Sequence, residues 1–410
     1  MSIRKGLTSR VTTSILIICA MSVSAQDWPQ WRGTNRDARV TGFNAPRSWS
    51  QQLNQSWEVN VGFADATPAL VNDRLYVFTR QGNREVLQCL NAATGTQLWQ
   101  TEGYVSPEVT GAARSHPGPR STPAVADGKV VTVGVVGTVS CHDAASGRLL
   151  WRNEDFIVAY PMFFTGTSPL IVNGLCVAHL GGSGAGQLVA FELATGDIEW
   201  QTAAGGPGYG SPTMITVDGT RQVVFQTETN LVGVDLSDGD LLWEIATPVG
   251  EGRVQNAASP VGDGQKVYFT GLNNGVNAIE ITTRRNSYVV NQLWTNSEFS
   301  TAYNTPVLKD GFLYGMSNQN KLFCINASNG QTAWEDATSH AQFGSVIDAG
   351  SVMVALSSAS NLVVFRPSGQ SYDQLAMIKV ADTPVYAHPI LSGSRIYIKD
   401  ENSVIMYTLN

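Results

Sequence analysis

The stretch richest in potential chemistry is "CLNAATGTQLW", Cys89 to Trp99, which crowds a thiol, two amides, two hydroxyls and an indole into eleven residues. Such a set could supply a nucleophile or grip a polar ligand. "DLSDGD" (235–240) spaces Asp235, Asp238 and Asp240 in the manner of a calcium loop, but the EF-hand spacing and its terminal Glu are absent. "GGSGAG" (181–186) could cradle a phosphate, yet no helix follows to complete such a site. The five histidines, 116, 142, 179, 340 and 388, show no paired ligand spacing, and no nucleophile elbow occurs. No catalytic residue and no metal ligand is assigned.

The opening stretch is one of a set. It recurs as "CHDAASGRLLW" (141–151), "AFELATGDIEW" (190–200), "GVDLSDGDLLW" (233–243) and "CINASNGQTAW" (324–334), with constant small–Gly–Trp spacing. A decayed copy begins at Ala278 and reaches Trp294 after an insertion, and another, from Val364, lacks the Trp and puts Ile378 near that place. Upstream of each lies a Ser/Thr-Pro or similar pair, an apolar run, a turn and a second apolar run. "TPALVNDRLYVF" (67), "SPLIVNGLCVAH" (168) and "HPILSGSRIYI" (388) are among its eight copies.

A period of 40 to 52 residues carrying four short strands is that of a propeller blade. Forty Gly, 17 Pro and only 14% charged residues agree with short strands and tight turns. The expected fold is all-β: one eight-bladed propeller of four-stranded antiparallel blades over residues 53–410, or seven blades if the copy at Val364 is not one. The C-terminal copy supplies three strands and stops, while Trp57 falls in phase with no blade before it. "QSWEVNV" (55–61) is therefore expected as the outer strand of the last blade, closing the ring and removing its open edges.

This arrangement gives the motif a structural reading. The Asp or Asn orders the turn, Gly takes a left-handed conformation, and the indole is a docking peg against the next blade. The pegs are Trp57, Trp99, Trp151, Trp200, Trp243, Trp294 and Trp334. Cys89, Cys141 and Cys324 align with Ala190, Gly233 and Ala278, so the position is a small buried slot and not a thiol site.

Residues 1–25 have the form of a secretory signal: Arg4, Lys5 and Arg10, an apolar run of about 13 residues too short to span a bilayer, and small residues before a cleavage point near Ala25. Its removal takes away three positive charges and moves the formal net charge from −7 to −10. Nucleic acid is excluded as a partner on that balance, and no transmembrane segment is expected in the mature chain. The mature chain is expected to be an exported monomer, periplasmic or extracellular, with residues 26–52 as a leader packing on the ring. In "DWPQWRG" (27–33) Trp28 and Trp31 either form a lid or present an aromatic and Arg surface to a partner.

The small residue, Gly and Trp recurring once per blade resemble the tryptophan-docking motif of the pyrroloquinoline quinone (PQQ) repeat family. The resemblance implies the propeller fold across Trp57 to the C-terminus. It leaves function open, because that family includes quinoprotein dehydrogenases and cofactor-free propellers such as the scaffold of the outer-membrane β-barrel assembly machinery. Within the family the dehydrogenases hold PQQ under two adjacent cysteines beside a calcium ion; this sequence has no Cys-Cys pair, and no residue matches those ligands. It stands closer to the cofactor-free exported propellers. The leader also resembles one found in exported PQQ-like proteins.

Binding residues are expected in the loops that lead from one blade to the next around the central funnel. The longest, 102–122, carries Arg114, His116 and Arg120; others bring Tyr160, Phe163, Tyr209, Gln255, Asn256, Tyr303, Asn304 and His388 to equivalent places. Aromatics, amides and arginines suit a carboxylate, a sugar or a peptide. The leading expectation is a non-enzymatic scaffold that binds a protein or envelope macromolecule, with no cofactor. The alternatives are a reduced PQQ-dependent dehydrogenase with calcium, and a small-ligand or carbohydrate-binding propeller.

Overall fold

The computed structural model describes residues 26–247 and 256–409. Residues 1–25, expected as a secretory signal, and Gln255 of the expected funnel loops lie outside the described residues. Eight antiparallel sheets follow one another in the chain, each with four strands running from an innermost strand outward; the first carries an added two-residue strand, Tyr104–Val105. Their innermost strands begin at Ala69, Ala124, Leu170, Thr213, Val261, Val307, Gly344 and Ile390, defining blades 1 to 8. The only helix among the described residues is the single 3-10 turn Gly111–Ala113, and no helix is long and apolar enough to cross a membrane.

Closure is made by the two ends of the chain. Strand Asn54–Asn60 pairs antiparallel with Ser403–Thr408, placing Trp57 opposite Met406 and completing blade 8. The copy from Val364 is a full blade as well, so the ring has eight. Its register places Ala376, not Ile378, opposite Val364: the hairpin has eight residues between Phe365 and Gln374 against six between Leu90 and Gln97, an extension too short to bring Ile378 there.

The register explains the small slot of the motif. Cys89 faces Trp99, Cys141 faces Trp151, Ala190 faces Trp200 and Gly233 faces Trp243, each in a cross-strand pair. An indole lying across the slot leaves no room for a larger side chain. All four cysteines of the described residues are buried and free, and burial pushes the thiols of Cys89 up to about 11 and of Cys141 and Cys324 to about 12. None is poised as a nucleophile.

Across the blade boundary the indoles meet the glycine turns. Trp151 Nε1 donates to Leu193 O at 3.1 Å, Trp200 to Leu236 O at 3.1 Å, and Trp294 to Ala327 O at 3.0 Å, in these three the residue after the turn's Asp, Asn or Glu, and Trp334 donates to Ser368 O at 2.7 Å in the longer turn of blade 7. Trp57 and Trp99 lack that bond because tyrosines take the acceptor: Tyr397 OH donates to Ala92 O and Tyr76 OH to Ala144 O. Gly196 shows why the turn needs glycine twice over: its φ is +85°, and a Cβ there would sit 2.6 Å from the Trp151 ring. Trp243 departs from the pattern. Blade 5 replaces the glycine turn by a longer hairpin, Val276–Arg284 with Ser287–Asn296, and Trp243 instead donates to Gln222 Oε1 of its own blade at 2.7 Å.

Around the axis runs a second set of bonds, built from the Ser/Thr-Pro pairs. The amide of Thr122 donates to Ser168 Oγ, Ser168 to Ser211 Oγ, Ser211 to Ser259 Oγ, and Ser259 to Thr305 Oγ1, at 2.9 to 3.0 Å. His388 adds a bond of the same kind across the closing boundary, donating its amide to Thr67 Oγ1 at 2.8 Å. Each bond joins one blade to the next at the neck of the ring.

The leader enters this neck. Trp28 pairs with Leu70 of blade 1, and Val40 and Ala38 pair with Asp348 of blade 7, so the two legs of the segment run against innermost strands. Trp28 and Arg32 are each 1% exposed. The segment is a plug in the axis rather than a lid across the face.

Candidate functional site at the ring mouth

The inter-blade loops gather on the face opposite the one by which the leader enters. The long loop 102–122 is fixed by a buried carboxyl. Glu85 accepts from Ser106 Oγ at 3.0 Å, from Val135 N at 3.1 Å and from Tyr104 OH, and Arg152 lies 4.5 Å over the Tyr104 ring. Burial raises the Glu85 pKa, opposed by these hydrogen bonds. Arg80 adds a tie to Ser106 Oγ and Pro107 O.

Beyond that anchor the loop brings His116 and Arg120 to the mouth. His116 Nδ1 lies 2.8 Å from Asp65 Oδ2, which sits just before the first Thr-Pro pair, and the amides of Asp65 and Ala66 both reach Pro119 O. The His116 ring meets Tyr386 edge-on at 4.8 Å. Arg120 spends its guanidinium inward, on Phe163 O and His116 O at 2.7 Å each, and desolvation lowers its pKa. Tyr209, at φ +76°, accepts the Phe163 amide at 3.2 Å and packs edge-on to that ring. Burial raises the Tyr209 pKa. An aromatic belt continues from His116 through Tyr386 and Phe343 to Tyr303, with centroids 4.4 to 5.3 Å apart.

The structure therefore brings together His116, Arg120, Tyr209 and, through the belt, Tyr303. It does not bring the rest to the same place. Asn256 is buried, tying its loop down through bonds from Nδ2 to Thr227 O, Glu228 O and Thr247 Oγ1. Asn304 bridges blades 6 and 7, donating to Met316 O and Gln342 O and accepting from Gly344 N. His388 belongs to the neck: its ring lies 4.4 Å from Trp31, and burial, aided by nearby Arg32, lowers its pKa to about 3, leaving it neutral. Arg114 is exposed beside the 3-10 turn, and Tyr160, also exposed, stacks on Phe164 at 4.7 Å.

Two features of the mouth were not read from the sequence. Asp65 carries no motif, and only its place ahead of a Thr-Pro pair marks it. The second is an apolar crest on the loop between blades 2 and 3, where Val158 is 89% and Met162 72% exposed, with Val105 on the preceding loop at 64%. The run of apolar residues in "FIVAYPMFF" was its signal.

Residues 83–336 match the sequence profile of a family described as outer membrane protein assembly factor BamB. The chain belongs to that family. It is 25% identical over 294 residues to the outer membrane protein assembly factor BamB of Xanthomonas campestris pv. campestris, covering 59% of this chain and 68% of that one. Methanol dehydrogenase (cytochrome c) subunit 1 of Methylorubrum extorquens matches at 25% identity over 174 residues, which is 38% of this chain and 26% of the enzyme. Among solved structures, BamB from Moraxella catarrhalis superposes with a TM-score of 0.65 at 13% identity, over 87% of this chain and 98% of that one. Quinohemoprotein alcohol dehydrogenase from Comamonas testosteroni gives 0.68 at 13% identity, over 93% and 80%. These structural likenesses establish a shared propeller fold.

The residues at the mouth do not fit a calcium-held quinone. Among the described residues no three His, Cys, Asp or Glu side chains cluster as metal ligands. Asp65 is already paired with His116, Arg120 is turned onto carbonyls, and the neck below is filled by Trp31 and Arg32.

Proposed function

We propose that the protein is an exported, non-enzymatic propeller that holds a protein partner of the cell envelope on its mouth face. One observation carries the reading: the crest of Val158, Tyr160 and Met162 exposes apolar surface beside a mouth whose Arg120 and Tyr209 are held by hydrogen bonds within the chain. Apolar side chains held up on an inter-blade loop gain from burial against another protein. Kinship with assembly factors named for the outer membrane supports an envelope partner.

The test compares capture from crosslinked envelope extracts by the native chain and by a Val158→Glu/Met162→Glu variant. Loss of one defined partner from the variant, with the thermal melt unchanged, is the expected result. Equal capture by both removes the crest from the interface.

A second reading is favoured by the belt of Tyr303, Phe343, Tyr386 and His116, whose half-buried rings suit stacking against a sugar. Glycan-array binding abolished by Tyr386→Ala, with capture of protein unaffected, would put that reading ahead of the first.

A further inference from the structure

The Ser/Thr-Pro pairs give the neck of the ring an unusual chemistry. Proline contributes a carbonyl but no N–H, so a neck built from repeated Ser/Thr-Pro pairs is rich in acceptors and poor in donors. A guanidinium group, with five donors and no acceptor, is the natural complement.

Two such groups are in place. Arg32 donates from Nη1 to Thr305 O at 3.0 Å and from Nη2 to Pro306 O at 2.8 Å, in blade 6. Arg36 donates from Nη1 to Pro169 O at 2.8 Å and from Nη2 to Ser168 O at 3.3 Å, in blade 3, three blades away around the ring. Trp31 Nε1 reaches Ser259 Oγ at 3.1 Å in blade 5. Burial lowers the two guanidinium pKa values, to about 10 and about 9, and both groups stay charged at neutral pH.

The rest of the segment is held as a peptide is held by a sheet. Trp28 N donates to Leu70 O at 2.7 Å and Leu70 N returns to Trp28 O at 2.9 Å, while Val40 N and Asp348 N exchange bonds with Asp348 O and Ala38 O at 2.8 and 3.0 Å. Its turn is self-contained, with Gly33 N on Gln30 O and Arg36 N on Gly33 O. Residues 50–52 are exposed, and closure of the ring is made further along, by Asn54–Asn60.

We infer that the neck of the propeller is a peptide-binding site for a segment bearing two indoles and two arginines, and that residues 26–40 are its resident, separable ligand. The ring forms first from Asn54 onward, and the leader docks into it afterwards. A peptide of the same chemistry from another chain competes for the same carbonyls.

The experiment uses the full chain with a protease recognition sequence inserted between Gln51 and Gln52, cut after folding. The leader fragment is expected to stay bound through gel filtration and to exchange with a fluorescent synthetic peptide of residues 26–42. The same peptide carrying Arg32→Ala and Arg36→Ala is expected to bind at least ~100-fold more weakly, since hydrogen bonds from charged donors are lost at both sites. A double-alanine peptide that binds equally well overturns the proposal. So does a cut chain that unfolds, because the leader is then part of the ring and no ligand of it. A fragment that leaves without the peptide rebinding overturns it equally. Val158→Glu is expected to change none of these outcomes, which separates this site from the mouth crest.

Discussion

Acidification should loosen the ring through three buried histidines. Desolvation lowers the pKa of His142 to about 4, of His179 to about 4 and of His388 to about 3; Arg152 adds to the effect at His142 and Arg32 at His388. In the unfolded chain each returns to about 6.5. The native values lie below the unfolded ones, so the unfolded state binds more protons between pH 4 and 6.5. The contribution of these residues is therefore complete above pH 6.5 and is lost as pH falls through that window. At pH 5 all three remain neutral in the native state, and each unfolded imidazole has gained about 1.5 pH units of proton binding, or about 2 kcal/mol. Glu85 acts in the opposite sense, since its raised native pKa lets the folded state take up a proton first. A single-site variant cancels that contribution. His179 lies edge-on to Phe225 with Nε2 3.1 Å from Gly205 O, and His179→Gln keeps a polar group there without a titration. Guanidinium unfolding followed by tryptophan fluorescence at pH 7.5 and pH 5.0 should show the native chain losing about 2 kcal/mol more than the variant. Identical losses in the two proteins would refute the argument that burial holds His179 neutral.

Gly196→Ala should cost roughly 2–4 kcal/mol, from the left-handed backbone together with the clash of its Cβ with Trp151, whereas Gly174→Ala, at φ +76° with open space around it, should cost only about 1. Thermal melts of the pair separate the two contributions. Glu85→Gln keeps one acceptor oxygen for Ser106 and Val135 but sets an amide donor where the other oxygen accepted from Tyr104 OH, and should cost about 1–3 kcal/mol. Limited trypsin digestion should then cut faster at exposed Arg114 as the 102–122 loop comes free. Thiol reagents at pH 8 should leave Cys89, Cys141, Cys176 and Cys324 unlabelled in the folded protein and label all four in denaturant. Rapid labelling of Cys89, Cys141 or Cys324 in the native state would contradict its place under an indole.

The ring was legible because its information is periodic. A slot that accepts Cys, Ala or Gly, a turn glycine and an indole at fixed spacing state the register of a blade, and Trp57 standing in phase ahead of the first blade marks the closing strand. Trp243 broke the rule for a reason also present in the sequence: the blade that should receive it has no turn glycine and carries the insertion before Trp294. What lay outside the repeat was not legible, since a Trp and Arg segment reads alike whether it covers a face, meets a partner or fills a neck.

His388 shows where the repeat held more than was taken from it. As a funnel-loop histidine it invites a binding role, yet in the alignment "HPILSGSRIYI" sets it on the same position as Thr67 and Ser168, whose hydroxyls accept the blade-linking bonds from the amides of His388 and Thr122. A position that is Ser or Thr in six blades is a neck position in the eighth. There the imidazole lacks a hydroxyl's geometry but offers a flat face, and Trp31 of the leader occupies it at 4.4 Å. The substitution of a ring for a hydroxyl at one blade and the indole that covers it are thus two halves of one contact, which ties the leader to the blade that the chain termini complete. His388→Ser restores the repeat and removes that contact, so it should weaken the hold on the leader while leaving the hydrogen bond from its own amide to Thr67 intact.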